Sequence, residues 1–424
     1  MAKSKEISPA RLAAFRILQQ VETGAFSSVL LAAEEPRLQP VDRALCHELV
    51  LGVLRWQLFL DATVEHFSKR RVESLDAAVR IALRLGLYQL RFLTRIPSSA
   101  AVNESVSLVR AARLSSATAF VNAVLRRAVR EAEYDPVADV SDPLEKMAVR
   151  TSHPVWLIER WANSFGIDEA EAFARANNTV PPTTFRVVAN RANQSDVLSK
   201  LSAAELKSSD IVKGAWRVSG ATALLREMST AGEIYLQDEA SQLVADVMDV
   251  QPGEVVLDLC AAPGGKTTLM ADRAEDHAFI VAADRSQTRM ATVVQTTRLH
   301  RFENIRPVIL DATEPLPFPR DSFDRVLVDA PCSGTGTLRA NPEIRWRLEP
   351  RDFERFARQQ KQIVSRAVEV LKPGGRLVYS TCSVEREENE GVIETLNQFR
   401  LIKTIRTWPQ REESDGFFVA ILEK

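Results

Sequence analysis

The chain has 424 residues, 45% apolar and 26% charged, with a formal net charge of −1. That length suits two or three domains with ordinary cores, and no apolar run is long enough to span a membrane. Four cysteines (Cys46, Cys260, Cys332 and Cys382) have neither metal-ligand spacing nor a close sequence pair, so a reducing, cytoplasmic setting is expected and no metal site. Met1–Ala10 does not read as a signal peptide.

The near-neutral total conceals an asymmetry. Residues 1–130 hold 19 Lys and Arg against 11 Asp and Glu, a net of +8, and the rest carries −9. A basic N-terminal region on a neutral chain suggests a polyanion-binding module. This region reads as helix throughout. Ser8-Pro9 is a cap followed by proline at the first helical position, and Leu12, Phe15, Leu18 and Val21 follow at helical spacing. From Asp42 one apolar face runs through Leu45, Leu49, Val53, Trp56 and Leu60. Lys69-Arg70-Arg71 and Arg126-Arg127 are the basic clusters best suited to phosphate contact.

Residues 131–145 gather acids and prolines, as a linker does, and a short helical stretch runs from His153 to about Asn177. Thr183–Val188 and Ala215–Val218 are strand-like, with a helical pattern between them, so residues 180–225 suggest a small α+β unit. Gln237–Ser241 begins a helix that leads into the next strand.

Val255–Leu259 is a buried-strand pattern that breaks into Cys260-Ala261-Ala262-Pro263-Gly264-Gly265-Lys266-Thr267-Thr268. A strand, a glycine turn and a helix start make a ligand cradle. A P-loop needs glycine where this chain has Cys260, and the three spaced glycines of a dinucleotide site are absent. A nucleoside-type ligand held without a phosphate cage remains. Later strands end in Asp284, Asp311, Asp329 with Cys332, and Ser380-Thr381-Cys382-Ser383. An acid at the end of the second strand is placed for ribose hydroxyls, and open α/β sheets bind ligands at these edges. Arg339, Arg345, Trp346, Arg347 and Arg351 mix positive charge with an aromatic ring, as a nucleic-acid surface does. Two strand-end cysteines in polar turns suit covalent catalysis by an activated thiolate. The residues alone leave open which of Cys332 and Cys382 attacks.

Asp258–Lys266, Asp329–Gly334 and Ser380–Ser383 resemble the signatures of S-adenosylmethionine-dependent RNA cytosine-5 methyltransferases, specifically the bacterial 16S ribosomal RNA methyltransferase B family (RsmB, Sun or Fmu). The resemblance implies an all-α NusB-like RNA-binding domain over residues 1–135, a linker and small α+β RNA-contacting subdomain over 136–232, and a Rossmann-like class I α/β methyltransferase sheet over 233–424. It implies S-adenosylmethionine as cofactor and a 16S RNA substrate, naked or early in assembly, with transfer RNA or another RNA as the alternative. A monomer is expected. It assigns Cys382 as nucleophile, Cys332 as the residue assisting release, and Asp329 as the acid at the base edge and a cofactor neighbour. Cys260 to Lys266 match the methionine-side cradle, Asp284 the ribose acid and Asp311 the adenine neighbour. It also gives Lys266 a substrate-facing role. Asp415–Ala420 resembles the closing strand motif, although Trp408-Pro409-Gln410-Arg411 lacks the histidine expected beside it.

Overall fold

The computed structural model describes residues 7–424. The signal-peptide reading thus falls largely on residues outside the described ones. The chain divides into two compact units. One is the chain up to Thr179 with Leu338–Arg347; the other is Val180–Thr337 with Leu348–Lys424. No helix of the described residues is long and apolar enough to cross a membrane.

The first unit is helical: α1 Pro9–Glu22, α2 Ser27–Glu34, α3 Pro40–Arg55, α4 Gln57–Ser68, α5 Ala77–Phe92, α6 Ser98–Ala111, α7 Thr118–Arg130, α8 Pro143–Thr151, α9 Val155–Phe165 and α10 Ile167–Ala176. Ser8 caps α1, with Pro9 at its first position. Ile81, Leu85 and Tyr88 of α5 are buried in the core. The Tyr88 ring needs Gly52, where a Cβ would lie 2.0 Å from it. The apolar stripe from Asp42 to Leu60 is two helices. Trp56 leaves helical geometry (φ −105°, ψ 18°) and stacks on Phe92 at 4.8 Å, so tertiary packing breaks a stripe that is continuous in sequence.

Leu338–Arg347 corrects the reading of its arginines and tryptophan as an RNA surface. Arg345 is fully buried and donates to Ser152 O (3.1 Å), Asn178 Oδ1 (2.8 Å) and Asn177 O (3.2 Å). Arg339 is buried too, and Arg55 donates to its carbonyl at 2.8 Å. Trp346 Nε1 donates to Leu54 O at 2.8 Å, and the Arg347 guanidinium stacks over Phe26. Glu343 accepts from the Ser27 amide at 2.8 Å. These side chains satisfy buried carbonyls and an amide of the helical unit, an obligation that local composition does not reveal. Arg351 alone of the set is exposed, beside Glu349.

The second unit holds two sheets. The smaller contains β1 Thr183–Val187, β2 Glu205–Ser208, β3 Ala215–Ser219 and β4 Ile234–Leu236 in the antiparallel order β2-β3-β1-β4, with helices α11 Gln194–Lys200 and α12 Thr222–Thr230. The larger contains β5 Val255–Asp258, β6 Phe279–Asp284, β7 Ile305–Ile309, β8 Phe323–Asp329, β9 Leu371–Thr381, β10 Arg400–Arg406 and β11 Phe418–Glu423. Its order is β10-β11-β9-β8-β5-β6-β7, with every strand running the same way except β11, which is antiparallel to both its neighbours. This is the Rossmann-like α/β class expected, following an all-α domain and a small α+β unit. Alternate residues face opposite layers: Val256, Ile280, Ala282, Leu327 and Val378 fill one core, and Leu257, Val281, Ala283, Val328 and Tyr379 the other. Burial on both faces explains the continuous apolar runs. The strand order reverses between β5 and β8, which opens the crevice where such sheets bind ligands.

Candidate active site

The crevice starts at the end of β5. Gly264 adopts φ +104°, in the left-handed region that favours glycine, and the helix α14 Gly265–Arg273 follows (α13, Glu239–Asp246, precedes the strand). A Cβ on Gly265 would come within 2.7 Å of the Tyr235 ring. Tyr235 in turn lies under the Arg186 guanidinium, 5.2 Å from its ring centre. Arg186 Nη2 donates to Thr268 Oγ1 at 2.9 Å, so β1 braces the first turn of α14. A cavity opens here, lined by Tyr235, Gln237, Asp258, Cys260–Pro263, Gly265, Lys266 and Asp329.

Asp258 is fully buried at the cavity floor. Thr267 Oγ1 donates to its Oδ2 at 2.7 Å, while Oδ1 has no partner among the described residues. Burial pushes its pKa up to about 7, with Asp329 adding to the rise against the Thr267 hydrogen bond. Across the cavity, Lys266 Nζ donates to Asp329 Oδ2 at 2.7 Å and Ser380 Oγ to Asp329 Oδ1 at 2.7 Å. Burial opposes the charge on Lys266, but the Asp329 carboxylate more than offsets it and holds the ammonium above its usual range. Lys266 also lies 5.3 Å from the centre of the Phe417 ring. Its ammonium is therefore committed to a carboxylate, unlike a phosphate-binding P-loop lysine.

Cys260 is half-buried at the turn, and desolvation pushes its thiol up, reinforced by Asp258. Asp284, at the end of β6, accepts from the Ser286 amide at 2.9 Å and lies 3.4 Å from Arg289 Nη1. Arg289 Nη2 donates to Ala262 O at 2.7 Å, tying the cradle to that acid. Asp311 follows β7; Thr313 Oγ1 donates to it at 2.7 Å, and this bond with the Thr313 amide holds its carboxyl below the usual range.

At the ends of β8 and β9 the two cysteines meet: Cys332 Sγ and Cys382 Sγ are 3.2 Å apart. The Cys332 thiol is pushed well up, first by its hydrogen bond to Cys382 and then by burial. The loops around the pair are polar yet buried. Ser333 and Ser383 hydroxyls are 3.1 Å apart, and Gly336 N donates to Cys382 O at 2.9 Å. Gly336 and Gly416 pack backbone to backbone: a Cβ on Gly336 would lie 1.8 Å from Gly416 O. Glu388, Asn389 and Gln360 complete this layer, and sequence reasoning missed all three. Glu387-Glu388-Asn389-Glu390 is charged and polar throughout in sequence, yet Glu388 and Asn389 are fully buried. Arg186, Tyr235 and Arg289 were missed too, because only the fold brings them to the turn.

The residues fit S-adenosylmethionine. Its sulfonium is positive, and the cavity presents Asp258 and Asp329; its amino group is a donor, and Asp258 Oδ1 is a buried acceptor without a partner. Small residues at 261–265 let a ligand approach the backbone closely.

Residues 245–423 match the 16S rRNA methyltransferase RsmB/F model, residues 8–130 the NusB family and residues 153–222 the ferredoxin-like domain of RsmF/B-like methyltransferases. The chain is thus an S-adenosylmethionine-dependent RNA methyltransferase. It is 31% identical to the probable ribosomal RNA small subunit methyltransferase B of Bacillus subtilis, over 99% of each chain. It is 35% identical to the ribosomal RNA small subunit methyltransferase B of Pseudomonas putida, over 90% of this chain and 87% of the relative. The crystal structure of PH0851 superposes with a TM-score of 0.85 at 27% identity, covering 99% of this chain and all of that one. The chain belongs to the ribosomal RNA small subunit methyltransferase B family.

Proposed function

We propose that this enzyme methylates carbon 5 of a cytosine in small-subunit ribosomal RNA through a covalent cysteine–cytosine intermediate. The observation that carries this reading is the 3.2 Å apposition of Cys332 and Cys382 beside an acid-lined cofactor cavity. Nitrogen or oxygen targets have lone pairs and need no thiol, whereas carbon 5 of cytosine is a poor nucleophile until a thiolate adds to carbon 6.

S-adenosylmethionine, when bound, supplies an electrophilic methyl group. Asp258 and the Cys260–Lys266 turn would hold its methionine end, Asp284 its ribose and Asp311 its adenine side. The Cys382 thiolate forms a bond to carbon 6, and carbon 5 gains the electron density to take the methyl group as the methyl–sulfur bond breaks and its electron pair leaves with the neutral thioether. Loss of the carbon 5 proton to a base then restores the double bond as the carbon–sulfur bond breaks and the thiolate leaves. Cys332, 3.2 Å from Cys382, assists that release. Asp329, fixed by Lys266 and Ser380, accepts from the amino group of the cytosine. A paired base must leave its stack to reach such a pocket, so an exposed or extruded nucleotide is the target.

The test uses small-subunit RNA carrying tritium at cytosine carbon 5. Methyl incorporation matched one for one by tritium release to water, with 5-methylcytidine in the digested RNA, supports the reading. Methyl incorporation without tritium release refutes carbon 5 chemistry, and transfer only to transfer RNA refutes the substrate.

A further inference from the structure

Glu388 lies on the short segment after the Cys382 loop, fully buried. Its two carboxylate oxygens are divided between the two cysteine loops. Oε2 accepts from the Ser333 amide, one residue past Cys332, at 2.8 Å. Oε1 accepts from Ser383 Oγ, one residue past Cys382, at 2.9 Å. Gln360 Nε2 donates to Oε2 at 3.1 Å and to Pro331 O, on the other side of Cys332, at 3.0 Å. The backbone carbonyl of Glu388 accepts from the Tyr379 hydroxyl, from the strand that carries Cys382. Its neighbour Asn389 donates to Ser383 O at 2.9 Å. A charged carboxylate is costly to bury, and it is kept here by donors drawn from both loops.

We infer that Glu388 is a positioning residue that clamps the Cys332 and Cys382 loops together and so sets the sulfur–sulfur approach on which release of the methylated RNA depends. It touches neither cysteine sulfur among its hydrogen bonds and acts through Ser333 and Ser383. The inference rests on the covalent reading above. Without the carboxylate, the Ser333 amide and Ser383 hydroxyl lose their shared acceptor, and Cys332 drifts from the carbon–sulfur bond it must help to break. Attachment needs only Cys382, whereas release needs both cysteines in register, so the defect falls on release. A glutamine retains one acceptor oxygen for the Ser333 amide, and Ser383 can turn its hydroxyl toward Ser333 or Thr335, which lie 3.1 and 3.3 Å away.

The test runs wild type, Cys332→Ala, Glu388→Ala, Glu388→Gln and Gln360→Ala full-length protein with S-adenosylmethionine and small-subunit RNA. It reads steady-state kcat and KM for RNA, and the fraction of protein that migrates as an RNA adduct on a denaturing gel. For Glu388→Ala the expected result is a tenfold or larger fall in kcat, a KM within twofold of wild type, and an adduct band approaching that of Cys332→Ala. Glu388→Gln recovers most of the lost kcat and loses most of the adduct. If Glu388→Ala does not fold, as judged by its melting profile, Gln360→Ala carries the test with the same direction and a smaller effect. Wild-type turnover without adduct in the folded variant overturns the inference, as does an equal loss of attachment and turnover. Absence of adduct in Cys332→Ala itself would instead overturn the covalent reading on which the inference rests.

Discussion

Lys266 and Asp329 form the ion pair that joins the two halves of the site: Nζ comes from the helix after the glycine turn, Oδ2 from the end of β8, and they lie 2.7 Å apart. The pair is largely sequestered, so each charge depends on the other. Lys266→Met leaves the Asp329 carboxylate with only the Ser380 hydroxyl. Cofactor affinity, read by calorimetry, is expected to fall roughly 10- to 100-fold. Asp329→Asn keeps the shape but removes the charge, and kcat is expected to fall on the order of 100-fold. A double variant that loses no more than the worse single one will mark the two as a unit; fully additive losses will refute the coupling.

Asp258 makes stability depend on pH. Its folded pKa of about 7 lies above the ordinary carboxylate value, so the folded state holds a proton that the unfolded chain releases. The contribution is therefore fully present below about pH 4 and is lost as pH rises toward 7, with a total on the order of 4 kcal/mol. Asp258→Asn is neutral throughout. Its melting temperature, compared with wild type in cofactor-free protein from pH 4.5 to 7.5, should fall less across that range. Parallel profiles would contradict the assignment.

Arg345→Ala should weaken the helical unit and leave RNA electrostatics alone. The substitution strands the carbonyls of Ser152 and Asn177 and the Asn178 side chain in a buried setting, at a cost of roughly 3–5 kcal/mol. Thermal unfolding will show the loss. In folded protein at low temperature, the slope of log affinity against log salt for RNA should match wild type. A reduced slope would mean that Arg345 meets phosphate after all.

The exposed basic side chains of the helical unit should behave in the opposite way. Replacing Arg70 and Arg71 together is expected to lower the salt slope by about one to two, with little change in melting temperature. Arg126 belongs in the same experiment, since it is exposed and donates to Asn122 of its own helix. An unchanged slope for all three would move the RNA surface elsewhere.

The fold was legible where one local pattern settled the outcome. Val255–Leu259, Phe279–Ala283 and Arg325–Val328 are apolar because both faces of their sheet are covered, and each announces a strand. β10 was not legible: Arg400–Arg406 sits at the sheet edge, mostly exposed, and carries three charges. Within the site, Asp284, Asp329, Cys332 and Cys382 stood out because chemistry-bearing residues recur at strand ends. Glu388 stayed hidden because burial of a carboxylate depends on donors 28 and 55 positions away in sequence. Arg345 and Trp346 were misread for the same reason, since arginine and tryptophan look alike in sequence whether they meet phosphate or cap carbonyls 168 and 292 residues distant.

The most direct measurement is the covalent adduct itself. Wild type, Cys332→Ala, Cys382→Ala and the double variant would be mixed with S-adenosylmethionine and naked small-subunit RNA and resolved on a denaturing gel. The account predicts an RNA-shifted band for Cys332→Ala that the double variant lacks, and none for Cys382→Ala. A band in Cys382→Ala that disappears with Cys332 would reverse the two roles and contradict it.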